Sequence, residues 1–326
     1  MQLSPRTIGA SGATLTAVIW GGQFIVARSA FPHLSPVWMT ALRYLLAGAL
    51  LLTLLLVREP GALRDVRRDP RAGRVLAYGV VGFAGFNLLA FVGLQHSNPE
   101  PASLIVSTMP LLTGFVLWAK LGRRPSRVTW VVAAVALVGV GTVLTDGHLD
   151  RLVTGGLGWG EGLVLLGATC WVVYTTGAAE VPEWSPLRYT AVSAASGGLA
   201  ALAVAVVLTM TGVLSAPGAG DVAAAWWQLA YLVVPGALVA VLSWNAAART
   251  LGAQDVSLFI NLVPVTTFAV EAVRGQAPHP AEVAGALLTV AALFAGNLLG
   301  RRRPAAPTAP AEPAVERRVP AGTMTA

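Results

Sequence analysis

Charge is what this 326-residue chain has least of: Asp, Glu, Lys and Arg make up 11 % of it, against about 25 % in an ordinary soluble domain. With 55 % hydrophobic residues and a mean hydropathy of +0.68, a water-soluble fold is excluded and the chain reads as a polytopic membrane protein. Cysteine is nearly absent. The one thiol, Cys170, excludes an intramolecular disulfide and a cysteine metal cluster, and its place inside an apolar run gives it a packing role. Four histidines, His33, His96, His148 and His279, stand singly in expected loops; without ligand spacing they argue against zinc. The single lysine, Lys120, lies between Trp118-Ala119 and Leu121-Gly122, which is no Walker A loop, so an ATP motor within the chain is excluded. Acids are scattered, which disfavours one alternative, a polytopic membrane enzyme acting on a lipid-like substrate. No cofactor is expected. The net charge of +7 comes from arginines beside apolar runs, where membrane topology explains them better than nucleic acid does.

What the chain has is apolar length. Runs near the roughly 20 residues that span a bilayer fall at 11–31, 36–57, 75–95, 101–120, 128–146, 158–179, 187–212, 226–249, 255–273 and 282–300. They predict an all-α polytopic membrane protein of ten transmembrane helices. The first run is too long, and too poor in cleavage signals, for a signal peptide. Nearly all arginines fall in alternate connections and the tail, while Arg151 and Arg274 fall in the opposite set. The positive-inside rule therefore puts both termini in the cytoplasm, in a multi-pass protein of the inner (plasma) membrane. The tail, 301–326, is rich in Pro and Ala and is expected to be disordered.

The chain also repeats itself. Ser103-Leu104-Ile105-Val106-Ser107-Thr108-Met109-Pro110 returns as Ser257-Leu258-Phe259-Ile260-Asn261-Leu262-Val263-Pro264, 154 residues later. Likewise Ser35-Pro36-Val37-Trp38-Met39-Thr40-Ala41, with Gly48, answers Ser185-Pro186-Leu187-Arg188-Tyr189-Thr190-Ala191, with Gly198, at 150. Two five-helix repeats follow, 11–146 and 158–300; an odd number of spans per half inverts the second against the first. On an α-helix Ser103, Ser107 and Pro110, and equally Ser257, Asn261 and Pro264, share a face. A polar, proline-kinked face at membrane depth predicts a cavity between the halves.

In order and spacing, these motifs resemble the drug/metabolite transporter superfamily and, within it, the bacterial EamA-type ten-helix permeases. The resemblance rests on Trp20-Gly21-Gly22-Gln23-Phe24, Ala41-Leu42-Arg43-Tyr44, Ala102-Ser103-Leu104-Ile105 with Pro110, and Gly139-Val140-Gly141. In the second unit it rests on Trp244-Asn245-Ala246-Ala247-Ala248, the stretch from Ser257 to Pro264, and Gly285. It implies a basket of helices around a central cavity, alternating access and, often, efflux of metabolites. The Leu-Gly-Glu common after the family's proline helix is absent, with Arg123 and Gln276 at the glutamate positions, so no role of that glutamate carries over.

Candidate substrate-binding residues are Trp20 and Gln23 on one stripe of the first span, Asn87 in the third, Trp171 and Tyr174 in the sixth, and Trp244 and Asn245 in the eighth. Ser103, Ser107, Ser257 and Asn261 belong to the repeated motif. Each also reads as ordinary helix packing. Arg43, about 10 Å deep at 1.5 Å per residue, is expected to anchor a hydrogen-bond network or face the cavity. Glu271 is the best-placed acid for proton coupling, but Arg274 at i+3 favours an interfacial ion pair. The implied partners are the lipid bilayer, a small-molecule substrate, and a proton or an exchanged solute. Small-residue stripes such as Ala292, Gly296 and Gly300 fit a contact within one molecule or across a homodimer, and the sequence leaves both open.

Overall fold

The computed structural model describes residues 4–122, 124, 127–145, 147, 148, 158–276 and 278–301, with backbone alone at 144, 254 and 296–301. Arg123, Arg151 and the tail from 302, about which the sequence carries expectations, lie outside the described residues, as do the side-chain positions of Gly296 and Gly300.

Three of the long helices begin with the same device. Ser4, Ser35 and Ser185 precede prolines, and each seryl oxygen accepts the backbone amide three residues on, from Thr7 at 3.2 Å, Trp38 at 3.3 Å and Arg188 at 2.9 Å. The cap satisfies one orphan donor, and proline at the first helical position needs none. The spans are α1 (Pro5–Ala30), α2 (Pro36–Arg58), α3 (Ala72–Gln95), α4 (Pro99–Val106 and Met109–Leu121), α5 (Arg127–Leu144) and α6 (Trp159–Glu180). They continue with α7 (Pro186–Met210), α8 (Trp226–Leu251), α9 (Ala253–Val256, Ser257–Asn261 and Leu262–Val273) and α10 (Pro280–Arg301). Six are long and apolar enough to cross a membrane as single helices; the bent α4 pair makes a seventh, and α5, α9 and α10 are shorter apolar helices. Among the described residues there is no strand. α1 begins six residues before the expected run, because its first turns are capped by Ser4 rather than driven by hydropathy.

The halves pack as a pseudo-two-fold pair. α2 crosses its counterpart α7, and α5 its counterpart α10; the α3–α6 contact is matched by α8–α1, and α4–α6 by α9–α1. At the α5–α10 crossing a Cβ added to Gly139 would lie 2.6 Å from the Gly285 carbonyl, and one added to Gly285 would lie 2.6 Å from the Gly139 carbonyl. Only glycine permits that approach. The repeated Gly48 and Gly198 likewise meet the opposite backbone where α2 crosses α7.

Breaks recur in matching places. α3 widens to a π-helix at Val80–Gly85 and α8 at Val234–Val239, 154 residues apart; glycines loosen the first, and Pro235-Gly236 open the second. α4 bends by 40° between Val106 and Met109, and α9 tightens to 3₁₀ over Ser257–Asn261. Pro110 and Pro264 stand one turn beyond, each lacking the N–H that would have bonded the carbonyl four residues back.

The arginine-rich end is cross-linked by ion pairs. Arg188 meets Glu59 at 3.0 Å, Arg71 meets Glu183 at 3.0 Å, and Glu180 takes Lys120 at 3.3 Å, the Tyr78 hydroxyl at 2.6 Å and also Arg74. Asp69 accepts from the Arg71 side chain and amide and from the Trp184 indole. These bonds hold its carboxyl well below the usual carboxylate range.

Candidate functional site

α1, α2 and α3 converge on Arg43. The guanidinium donates to the Gln23 side-chain oxygen at 2.7 Å and to the Asn87 side-chain oxygen at 3.0 Å, while the Asn87 amide donates to the Phe83 carbonyl at 2.9 Å. The π-helix of α3 places that carbonyl and Asn87 side by side. Arg43 is 1 % exposed, its charge lies 4.8 Å from the Tyr44 ring centroid and 5.8 Å from that of Phe91, and its Nε has no partner. Among the described residues no carboxylate lies within ion-pair distance of it. A buried cation is thus held by amide dipoles and ring faces.

A second hub occupies the equivalent helices α6, α7 and α8. The Asn245 amide donates to the Tyr174 hydroxyl at 2.6 Å and to Thr190 Oγ1 at 2.7 Å, and the Tyr189 hydroxyl donates to the Tyr174 carbonyl at 2.7 Å. Gln23 and Tyr174 are repeat partners at 151 residues, but the position matching Arg43 is Ser193. The second hub is therefore neutral.

Aromatic rings join the hubs. Trp171 sits 5.3 Å from Trp20, 5.7 Å from Phe83, 5.5 Å from Phe86 and 5.0 Å from Tyr174, and Trp20 sits 5.3 Å from Trp244. The Trp20 indole donates to the Gly236 carbonyl in the α8 π-helix at 3.1 Å, and the Trp244 indole to Thr175 at 3.4 Å. The Trp171 indole N–H, 2 % exposed as a residue, has no partner. Between Trp20, Gln23, Phe86 and Trp171 lies a void of about 10 Å³, room for about one water.

The repeated motif reaches this void by different residues than expected. Val106, Met109, Ile260 and Val263 line it. Ser103 donates to the Glu100 carbonyl at 2.8 Å and Ser107 to the Leu104 carbonyl at 2.6 Å, both fully buried; Ser257 and Asn261 are buried as well, and neither amide atom of Asn261 has a partner. An i, i+4 face presumes an unbroken α-helix. The α4 bend and the α9 3₁₀ turn rotate the motif and bring its apolar positions inward.

At the opposite end from the ion pairs lies a cavity of about 430 Å³ lined by Arg28, Asn98, Glu100, Glu271, Arg274 and Glu282, among others. Glu271 is 3 % exposed; one carboxylate oxygen meets Arg274 at 3.3 Å and the other has no partner. Sequence reasoning missed this cavity because α1, α4, α9 and α10 each contribute one or two polar residues that look interfacial alone. Arg28 lines the cavity and donates to the Leu94 carbonyl at 3.4 Å.

Paired polar hubs and paired helix breaks between inverted five-helix halves are the construction of a membrane transporter, not of an enzyme. The EamA-like transporter family model matches residues 7–145 and again 158–297, and the chain belongs to that family, within the drug/metabolite transporter superfamily. Similar proteins include the uncharacterized transporter YrdR of Bacillus subtilis, 28 % identical over 310 residues (93 % of this chain and 95 % of YrdR). Over half that length, the S-adenosylmethionine/S-adenosylhomocysteine transporter of Chlamydia trachomatis is 32 % identical (48 % of this chain and 47 % of that protein). A solved crystal structure superposes with a TM-score of 0.63 at 23 % identity, covering 90 % of this chain and 98 % of the other, and so shares the fold.

Proposed function

We propose that the protein is a secondary transporter that exports a small organic metabolite from the cytoplasm by alternating access, with both termini cytoplasmic. The observation that carries the reading is the desolvated Gln23–Arg43–Asn87 hub beside the Trp20–Trp171–Trp244 rings, at the point where helix breaks of both halves meet. Breaks in α3, α4, α8 and α9 are the joints about which the halves rock. Ion pairs cross-link the cytoplasmic end while a cavity lies at the other, as in an outward-facing state. Aromatic walls with one amide suit a flat solute bearing a hydrogen-bonding group.

The test is counterflow in proteoliposomes with amino acids, nucleosides and sugars, together with S-adenosylmethionine and S-adenosylhomocysteine, for which a relative is named. A transported solute is expected to raise the melting temperature of the purified protein, and Gln23→Ala and Asn87→Ala to abolish its flux. Normal flux in both variants would overturn the assignment of this centre.

A further inference from the structure

We propose that the cavity at the Glu271 end is a second solute site, which takes one organic ammonium group with Glu271 as its acceptor. The assignment rests on the transporter reading and adds to it a substrate class. The cavity, about 430 Å³, is within the range of small-ligand sites. Three carboxylates, Glu100, Glu271 and Glu282, face it against two guanidiniums, Arg28 and Arg274.

Among the three carboxylates, Glu271 carries the buried oxygen without a partner. Arg274 occupies only one oxygen of Glu271, at 3.3 Å. Arg28 donates to the Leu94 carbonyl at 3.4 Å, and Glu282 accepts the His279 backbone amide at 2.7 Å. The second Glu271 oxygen is buried and receives no hydrogen bond, and Glu271 is among the residues that line the cavity. A buried carboxylate oxygen without a donor is expensive to maintain, so the site favours a ligand that brings N–H donors and positive charge together. One such charge also balances three carboxylates against two guanidiniums. A hard divalent cation does not fit, because among the described residues no three His, Cys, Asp or Glu side chains approach closely enough to hold a metal. α1 carries Ile25 and Arg28 at this cavity and Trp20 and Gln23 at the central void, so the two sites lie in series on one helix.

Binding of benzylammonium to the purified full-length protein, by calorimetry at pH 7, tests this against benzyl alcohol and phenylacetate. Benzylammonium is expected to bind saturably, the other two not, and Glu271→Gln to weaken binding at least tenfold. Equal binding of benzyl alcohol, unchanged binding in Glu271→Gln, or no benzylammonium binding would overturn the proposal. Should Glu271→Gln not fold, labelling of the wild-type protein by a hydrophobic carbodiimide reads the same contact: benzylammonium is expected to protect Glu271, and unchanged labelling would sink the site. Loss of all counterflow with binding intact would refute the transporter reading and leave the site standing. Counterflow of some solute with no ammonium binding would do the reverse.

Discussion

Arg43 sets up a comparison in which removing the charge is gentler than removing what surrounds it. In the double variant Gln23→Leu/Asn87→Leu the guanidinium loses acceptors at 2.7 and 3.0 Å. Hydrogen bonds to charged groups contribute about 1.5–3 kcal/mol each, so the double loss is about 3–6 kcal/mol, and the stranded charge cannot reach water at 1 % exposure. Arg43→Met instead leaves two neutral amide oxygens unpaired, at about 1–3 kcal/mol each. It also removes a desolvation penalty of several kcal/mol for the buried ion, so the two changes largely cancel. Thermal unfolding of the purified protein in detergent, followed by tryptophan fluorescence, is expected to place Arg43→Met near the parent and the double variant far below. Adding Arg43→Met to the double variant should restore most of the lost stability. If Arg43→Met melts below the double variant, or fails to rescue it, the idea that the charge dominates the energetics of this hub is wrong.

Trp20 and Trp171 are repeat partners with different hydrogen bonding. Trp20→Phe deletes the bond to the Gly236 carbonyl, about 0.5–1.5 kcal/mol, whereas Trp171→Phe deletes none within the protein; the first is expected to melt lower, and the opposite order would refute the assignment. Asp69 titrates below the usual carboxylate range in the folded protein, so its stabilising contribution is complete above its unfolded pKa of about 4 and is lost as pH falls towards the folded value. Asp69→Asn should therefore melt below the parent at pH 7, with the gap closing below about pH 4; a gap that stays constant to pH 3 would contradict the Arg71 and Trp184 bonds.

Apolar length and the 150- and 154-residue repeats made the helices and their two-repeat plan legible, whereas the serine-proline caps went unread and the start of α1 was placed six residues late. The polar residues of the centre were legible for a related reason: Gln23, Asn87, Tyr174 and Asn245 stand out in apolar runs, and a polar group there must find a partner. Which partners they find was not, since the two hubs draw on six helices far apart in sequence. The inward face of the repeated motif was misread for a different reason. Hydrogen-bond register within a helix decides which side chain points where, and neither the α4 bend nor the α9 3₁₀ turn changes the hydropathy by which the spans were found. The π-helices of α3 and α8 escaped likewise, although Pro235 and the glycines at 79, 82 and 85 stood where they form.

The reciprocal approach of Gly139 and Gly285, each facing the other's carbonyl, is an isologous contact whose two partners reside in one polypeptide. In a dimer of identical subunits every substitution is made twice, and neither copy can acquire a group that the other lacks. Covalent joining lifts that restriction. Arg43 stands in one half where Ser193 stands in the other, so among the described residues this buried positive charge has no image in the other half and lies off the two-fold axis. A solute at the proposed central site would meet a surface with a polarity, and would bind in one orientation in preference to its reverse.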